Sequence, residues 1–158
     1  MSADVTRNSF YSHCLETVKH QFVETNKATV SSLKDRISKL EDSILAGCTL
    51  TTDIADSLSL LQSRMSEKHY GKLCALFRDP TFHMDIIEMS IYTQEGEVSI
   101  PLLYTKKGEK KLFLLSEGGN VSTLTRLAYK LIRLLFDLKH RSREDVCHRV
   151  RRKRDKQE

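Results

Sequence analysis

Ile86-Ile87-Glu88-Met89-Ser90-Ile91-Tyr92-Thr93-Gln94-Glu95-Gly96-Glu97-Val98-Ser99-Ile100-Pro101-Leu102-Leu103-Tyr104 is the stretch where the hydrophobic period of this 158-residue chain changes. Upstream the period is about 3.6 residues, as in a helix; here it is about 2, as in a strand. Ile87, Met89 and Ile91 alternate with Glu88, Ser90 and Tyr92. Gln94-Glu95-Gly96-Glu97 is a turn, after which Val98, Ile100, Leu102 and Tyr104 alternate with Ser99, Pro101 and Leu103. Lys106-Lys107-Gly108-Glu109 is a second turn, and Lys111–Ser116 reads as a third strand. Strands joined by short Gly-containing turns predict a three-stranded antiparallel meander. Pro101 has no N–H to give to a ladder, so it belongs at a bulge or an edge-facing position. One face of such a sheet needs cover, and helices are the available material.

The preceding sequence reads as helical. A first helix is expected from about Asn8 to Ala46, with Val30, Leu33, Ile37, Leu40 and Ile44 spaced 3, 4, 3 and 4 apart. That is a heptad seam, and Val23 and Asn26 extend it by one repeat. β-Branched residues at one seam position with leucine at the other suit a parallel two-stranded coil. Arg36 and Glu41 flank the seam with opposite charge. Two readings stay open: self-association, or capture of a partner helix, through these five residues, and packing of the same stripe on the next helix of its own chain. Gly47 is suited to stop the first helix. Thr51 or Thr52 then caps a second, carrying Ile54, Leu58, Leu61 and Met65 to about Phe77, with Gly71 as an internal weak point and Asp79-Pro80 as its end. The short link makes the two a helical hairpin.

Downstream, Glu117-Gly118-Gly119-Asn120 leads into a last helix. Leu124, Leu127, Ala128, Leu131, Leu134, Leu135 and Leu138 make its apolar face, with Arg126, Lys130 and Arg133 mostly off it. The expected fold is therefore α+β: an N-terminal helical hairpin with a short heptad-like seam, a three-stranded antiparallel meander, and a C-terminal helix with a basic tail. Residues 1–138 form one domain on this reading, helical over 1–79 and strands plus helix over 80–138, and residues 139–158 form the tail.

Charge points to that tail. The chain carries 26 Lys and Arg against 21 Asp and Glu, a net +5. Residues 139–158 hold nine of the cations and four of the acids, which is +5, so the other 138 residues are neutral. Lys139, Arg141, Arg143, Arg149, Arg151, Arg152, Lys153, Arg154 and Lys156 are the candidate nucleic-acid contacts. A solvated cation run suits a phosphate backbone, whose counterions it releases. Basic residues interleaved with aromatics, the mark of an RNA-binding sheet, are absent, so contact should be led by phosphates with little sequence selectivity, on DNA or RNA. Lys153-Arg154-Asp155-Lys156 also fits a short nuclear import or docking signal.

Other chemistry finds little support. The chain lacks Gly-x-Ser-x-Gly, His-Glu-x-x-His, a phosphate-binding Gly-Lys-Ser/Thr loop and a dinucleotide fingerprint, so no enzyme and no cofactor is expected. Gly118-Gly119 precedes a helix start but has no Lys or Thr at nucleotide-site spacing. Cys14, Cys48, Cys74 and Cys147 are scattered without Cys-x-x-Cys spacing, which suggests reduced, mostly buried thiols rather than zinc ligands. Met1-Ser2-Ala3-Asp4-Val5 has neither the basic nor the apolar region of a secretory signal, and no apolar run is long enough to span a bilayer. The expected place of action is intracellular, nuclear or cytoplasmic, with no membrane partner.

Overall fold

The computed structural model describes residues 27–79, 86–93, 96–105, 112–114 and 123–157. Helix α1 covers residues 27–45, α2 Thr51–Gln62, α3 Glu67–Arg78, α4 Thr123–His140 and α5 Arg143–Gln157. Strands β1 Ile86–Thr93, β2 Gly96–Thr105 and β3 Leu112–Leu114 lie between α3 and α4. Helices hold most of the described residues, which overturns the expectation of an α+β fold built on a three-stranded meander. The architecture is mostly helical, and its substantial sheet element is the antiparallel pair β1–β2. β3 adds three residue pairs at the edge of β2, from Leu103↔Leu114 to Thr105↔Leu112. The rest of the strand expected over 111–116 lies outside the described residues.

The helices differ from the sequence reading in three ways, of which the last fifteen-residue helix adds most to the helical content. The predicted second helix is two helices, because Ser66 caps α3, its side chain accepting from the His69 N–H at 3.2 Å. Gly71 sits inside α3 and breaks nothing. The predicted tail is itself a helix, α5, with Val146 and Val150 only 1% and 3% exposed. α4 is also buried more widely than its leucine face implied, since Thr125, Ile132 and Phe136 are covered too. It contacts α2, α5, β2 and β3 and is the central element of the core.

The heptad-like stripe is spent within the chain. Leu33, Ile37, Leu40 and Ile44 are 0–7% exposed and share one cluster with Leu61, Leu73, Leu131 and Val146, while Val30 packs against it. Little of that apolar surface is left for a second chain. Arg36, which suited a partner's Glu41, instead pairs with Asp53 and, at 3.4 Å, with Asp56 of α2. Thr29 near the start of α1 accepts a hydrogen bond from Arg64 just past the end of α2, so the two helices run antiparallel. Val23 and Asn26, which extended the stripe, lie outside the described residues.

Gly47 ends α1 at φ 72°, a left-handed conformation that costs glycine nothing, and the Cys48 N–H donates to the Ser43 carbonyl at 3.0 Å. Leu50, rather than Thr51 or Thr52, then sits at the α2 cap position and makes no side-chain cap. In the hairpin, Ile87 faces Leu103 and Glu88 faces Pro101, so Leu102 is the extra residue of a bulge beside the proline. Two residues there face one partner, and Leu102 and Leu103 are both fully buried. The outer edge of β1 is covered: the Ser90 N–H donates to the Arg64 carbonyl at 2.8 Å and the Glu88 N–H to His69 Nδ1 at 3.3 Å. No helix among the described residues is long and apolar enough to cross a membrane.

Candidate nucleic-acid interface

Two apolar side chains spaced four apart, Val146 and Val150, fix which side of α5 faces inward. Side chains four apart share a helix face. The other thirteen residues of Arg143–Gln157 are mostly charged or polar. So small an apolar stripe holds a helix weakly, and ionic contacts supplement it. Arg143 donates to the carbonyls of Ser43, at 3.3 Å, and of Cys48. Those carbonyls close the C-terminal end of α1, where a cation is favourable. Arg154 bridges Asp42 at 2.7 Å and Glu41 at 3.7 Å on the same helix. The Asp42 hydrogen bond, chiefly, raises the Arg154 guanidinium further above its ordinary value. Arg141 and Arg149 share Asp137 at 3.3 and 4.0 Å and Asp145 at 3.6 Å each.

The nine predicted contacts therefore divide. Arg141, Arg143, Arg149 and Arg154 have partners in their own chain. Lys139, Arg151, Arg152, Lys153 and Lys156 are exposed and form no ion pair among the described residues. The run of cations that looked uniform in sequence is half fastener and half free charge.

The free half does not stand alone. α1, α4 and α5 enclose a groove of about 560 Å³ lined by Arg126, Lys130 and Arg133 of α4 and Arg149, Arg152 and Lys153 of α5. Its floor is apolar, built from Ile37, Leu134, Val146 and Val150. A second cavity of about 310 Å³ shares Ile37, Glu41, Lys130 and Lys153 with it and adds Lys34 and Arg154. Lys153 thus stands between two lobes of one basic cleft. The only carboxylates among the lining residues are Glu41 and Asp137, and both already face arginines: Glu41 faces Arg154, Asp137 faces Arg141 and Arg149. Arg126, Lys130, Arg133, Arg152 and Lys153 form no ion pair among the described residues, and Lys153 has only the attraction of Glu41, which it shares with Arg154.

The electrostatic cost of that arrangement shows at Lys153. Desolvation by the groove walls pushes its ammonium below the ordinary lysine value; Glu41 opposes this, and Lys130 and Arg133 reinforce it. Tyr129, also on the groove, is held by donating its hydroxyl to the Leu112 carbonyl at 2.7 Å. Burial pushes its hydroxyl pKa up, with Arg133 pulling down and Asp137 pushing up. The α4 row was in plain view in the sequence, since spacings of four and three put Arg126, Lys130 and Arg133 on one helix face. What the sequence did not show is that α5 folds back to oppose it.

The cysteines divide likewise. Cys48 is exposed, against the expectation of buried thiols, because it lies in the link between α1 and α2, while Cys74 and Cys147 are half-buried. Cys14 lies outside the described residues. No group of three His, Cys, Asp or Glu able to hold a metal occurs among the described residues. Comparison of the chain with protein-family models, with curated proteins and with solved structures gives no match, so its function has to be argued from the cleft itself.

Proposed function

We propose that this protein is a small non-enzymatic helical module that binds the phosphate backbone of nucleic acid, with little selectivity for sequence. One observation carries the reading: five cations of α4 and α5 converge on a groove whose two carboxylates are already neutralised. Keeping like charges together is unfavourable unless an anion relieves them. Contacts of guanidinium and ammonium with phosphate position a nucleic acid without reading its bases. The contacting residues on this reading are Arg126, Lys130, Arg133, Arg151, Arg152 and Lys153, with Lys139 and Lys156 beside them; Arg141, Arg143, Arg149 and Arg154 are structural. A place of action in the nucleus or cytoplasm goes with the proposal.

The test is the salt dependence of binding. Six free cations on six phosphates give a slope of log affinity against log salt of roughly −4 on a single strand and −5 on a duplex. Arg151→Ala with Arg152→Ala and Lys153→Ala should make that slope shallower by about 2 to 3 and weaken binding equally on unrelated sequences. Arg154→Ala should act on stability instead. Absence of retention on nucleic acid at low salt would end the proposal.

A further inference from the structure

The reading above leaves open which form of nucleic acid the cleft takes, and the shape of the cleft bears on it. We infer that the groove between α1, α4 and α5 is built for a single sugar-phosphate strand with its bases exposed, so that the preferred partner is single-stranded nucleic acid. The inference rests on the phosphate-binding proposal and narrows it.

Three features of the groove point this way. Its cations stand on opposite walls, Arg126, Lys130 and Arg133 on α4 and Arg152 and Lys153 on α5. A single sugar-phosphate backbone laid between the two rows meets cations on both sides, whereas a duplex resting on the cleft meets them along its outer surface only. The second feature is the floor. Half-buried Leu134 and the half-buried ring of Tyr129 line the groove beside the charges, over buried Ile37, Val146 and Val150. A duplex presents only phosphate and sugar on its outside and keeps its base faces stacked, so it has nothing to place on that floor. An unpaired strand presents both phosphates and base faces, and single-strand binders join a basic groove to apolar or aromatic platforms for this reason. The third feature is length. The cleft continues past Lys153 into the lobe lined by Lys34, Lys130 and Leu127, so its cations extend along a track rather than closing round one isolated anion. Desolvation and like-charge crowding at Lys153 fit a track that is incomplete until a phosphate lies in it.

The experiment compares an oligodeoxythymidylate with a duplex of equal length, by fluorescence anisotropy across a salt series. Two variants divide the surface. Arg126→Ala with Lys130→Ala removes two of the three cations of the α4 wall; Arg126 is exposed and Lys130 half-buried, and circular dichroism checks the fold. Arg151→Ala with Lys156→Ala removes cations of α5 that do not line the groove. The parent should bind the single strand at least tenfold more tightly than the duplex. The α4-wall variant should lose that preference, with a single-strand slope shallower by about 1.4, while the α5 variant keeps it. Equal affinity of the parent for both forms, or equal effects of the two variants on both, overturns the inference and leaves the broader proposal standing. Binding to neither form removes the broader proposal itself.

Discussion

Replacing Val146 and Val150 together by alanine separates a docked α5 from a solvated tail. The two side chains are 1% and 3% exposed, and each substitution removes two methyl-sized groups. At about 0.8 kcal/mol per buried carbon, the lost transfer free energy is about 3 kcal/mol for the pair. Alanine's better helix propensity returns up to about 1 kcal/mol over the two sites. Unfilled space adds to the loss, though less at Val150, which borders the groove and can admit water. The net is a destabilisation of about 2–3 kcal/mol, and for a chain of this length that lowers Tm by roughly 5–10 °C. Differential scanning calorimetry reads the shift, and limited trypsin digestion shows whether the Arg-rich helix opens before the rest. A Tm within about a degree of the parent, with an unchanged digestion pattern, would refute the claim that α5 is part of the folded core.

Two further outcomes follow from the same geometry. Ile37→Asp places a charge where the native side chain is 7% exposed beneath the cleft, at a cost of several kcal/mol; the variant should unfold at every concentration, and a well-folded monomer from a dimeric parent in sedimentation would return the stripe to the role of oligomer contact. Lys153→Met should raise thermal stability while weakening nucleic-acid binding, because it removes a crowded ammonium from the cleft. The pH dependence has a definite sign: folding lowers the Lys153 pKa, so just below the ordinary lysine value the unfolded chain binds more protons, and this residue's share of stability rises with pH there. Denaturant midpoints of parent and variant, converging as pH rises through that window, are the expected result; divergence is the opposite sign.

Much of the chain could be read locally, and what could not be read is non-local. The alternation of Ile87, Met89 and Ile91 marks β1 because a half-covered strand repeats every second residue, and Gly47 marks the end of α1 because few residues accept its φ. The break before α3 comes from Ser66, which the sequence reading does not single out, and not at Gly71; a polar side chain that satisfies a free helix N–H outranks a glycine that α3 simply absorbs. Lys111–Ser116 offered a short apolar run, Leu112 to Leu115, without the alternation of the other strands, and its described pairing is confined to Leu112–Leu114. α5 defeated the reading for a different reason. Two valines among charges give almost no amphipathic signal, so its helicity and its docking both come from tertiary partners: the groove floor, the Ser43 and Cys48 carbonyls, and the Glu41–Asp42 pair. The cleft followed α5 into obscurity. Its α4 wall was visible as a row, but a row becomes a cleft only when a second row is brought opposite.

The bond from Arg143 to the Cys48 carbonyl joins residues 95 apart, and the one to Ser43 spans 100. During synthesis α1 leaves the ribosome long before the segment that covers it. At roughly 5–20 residues per second, Ile37 waits on the order of ten seconds for Val146 and Val150. Through that interval the nascent chain shows an apolar stripe with a heptad spacing that invites a neighbouring copy on the same message, even though little of it stays exposed in the finished molecule. A truncation that removes α5 would make that transient exposure permanent, and the product would be the aggregation-prone form of the protein rather than merely a less basic one.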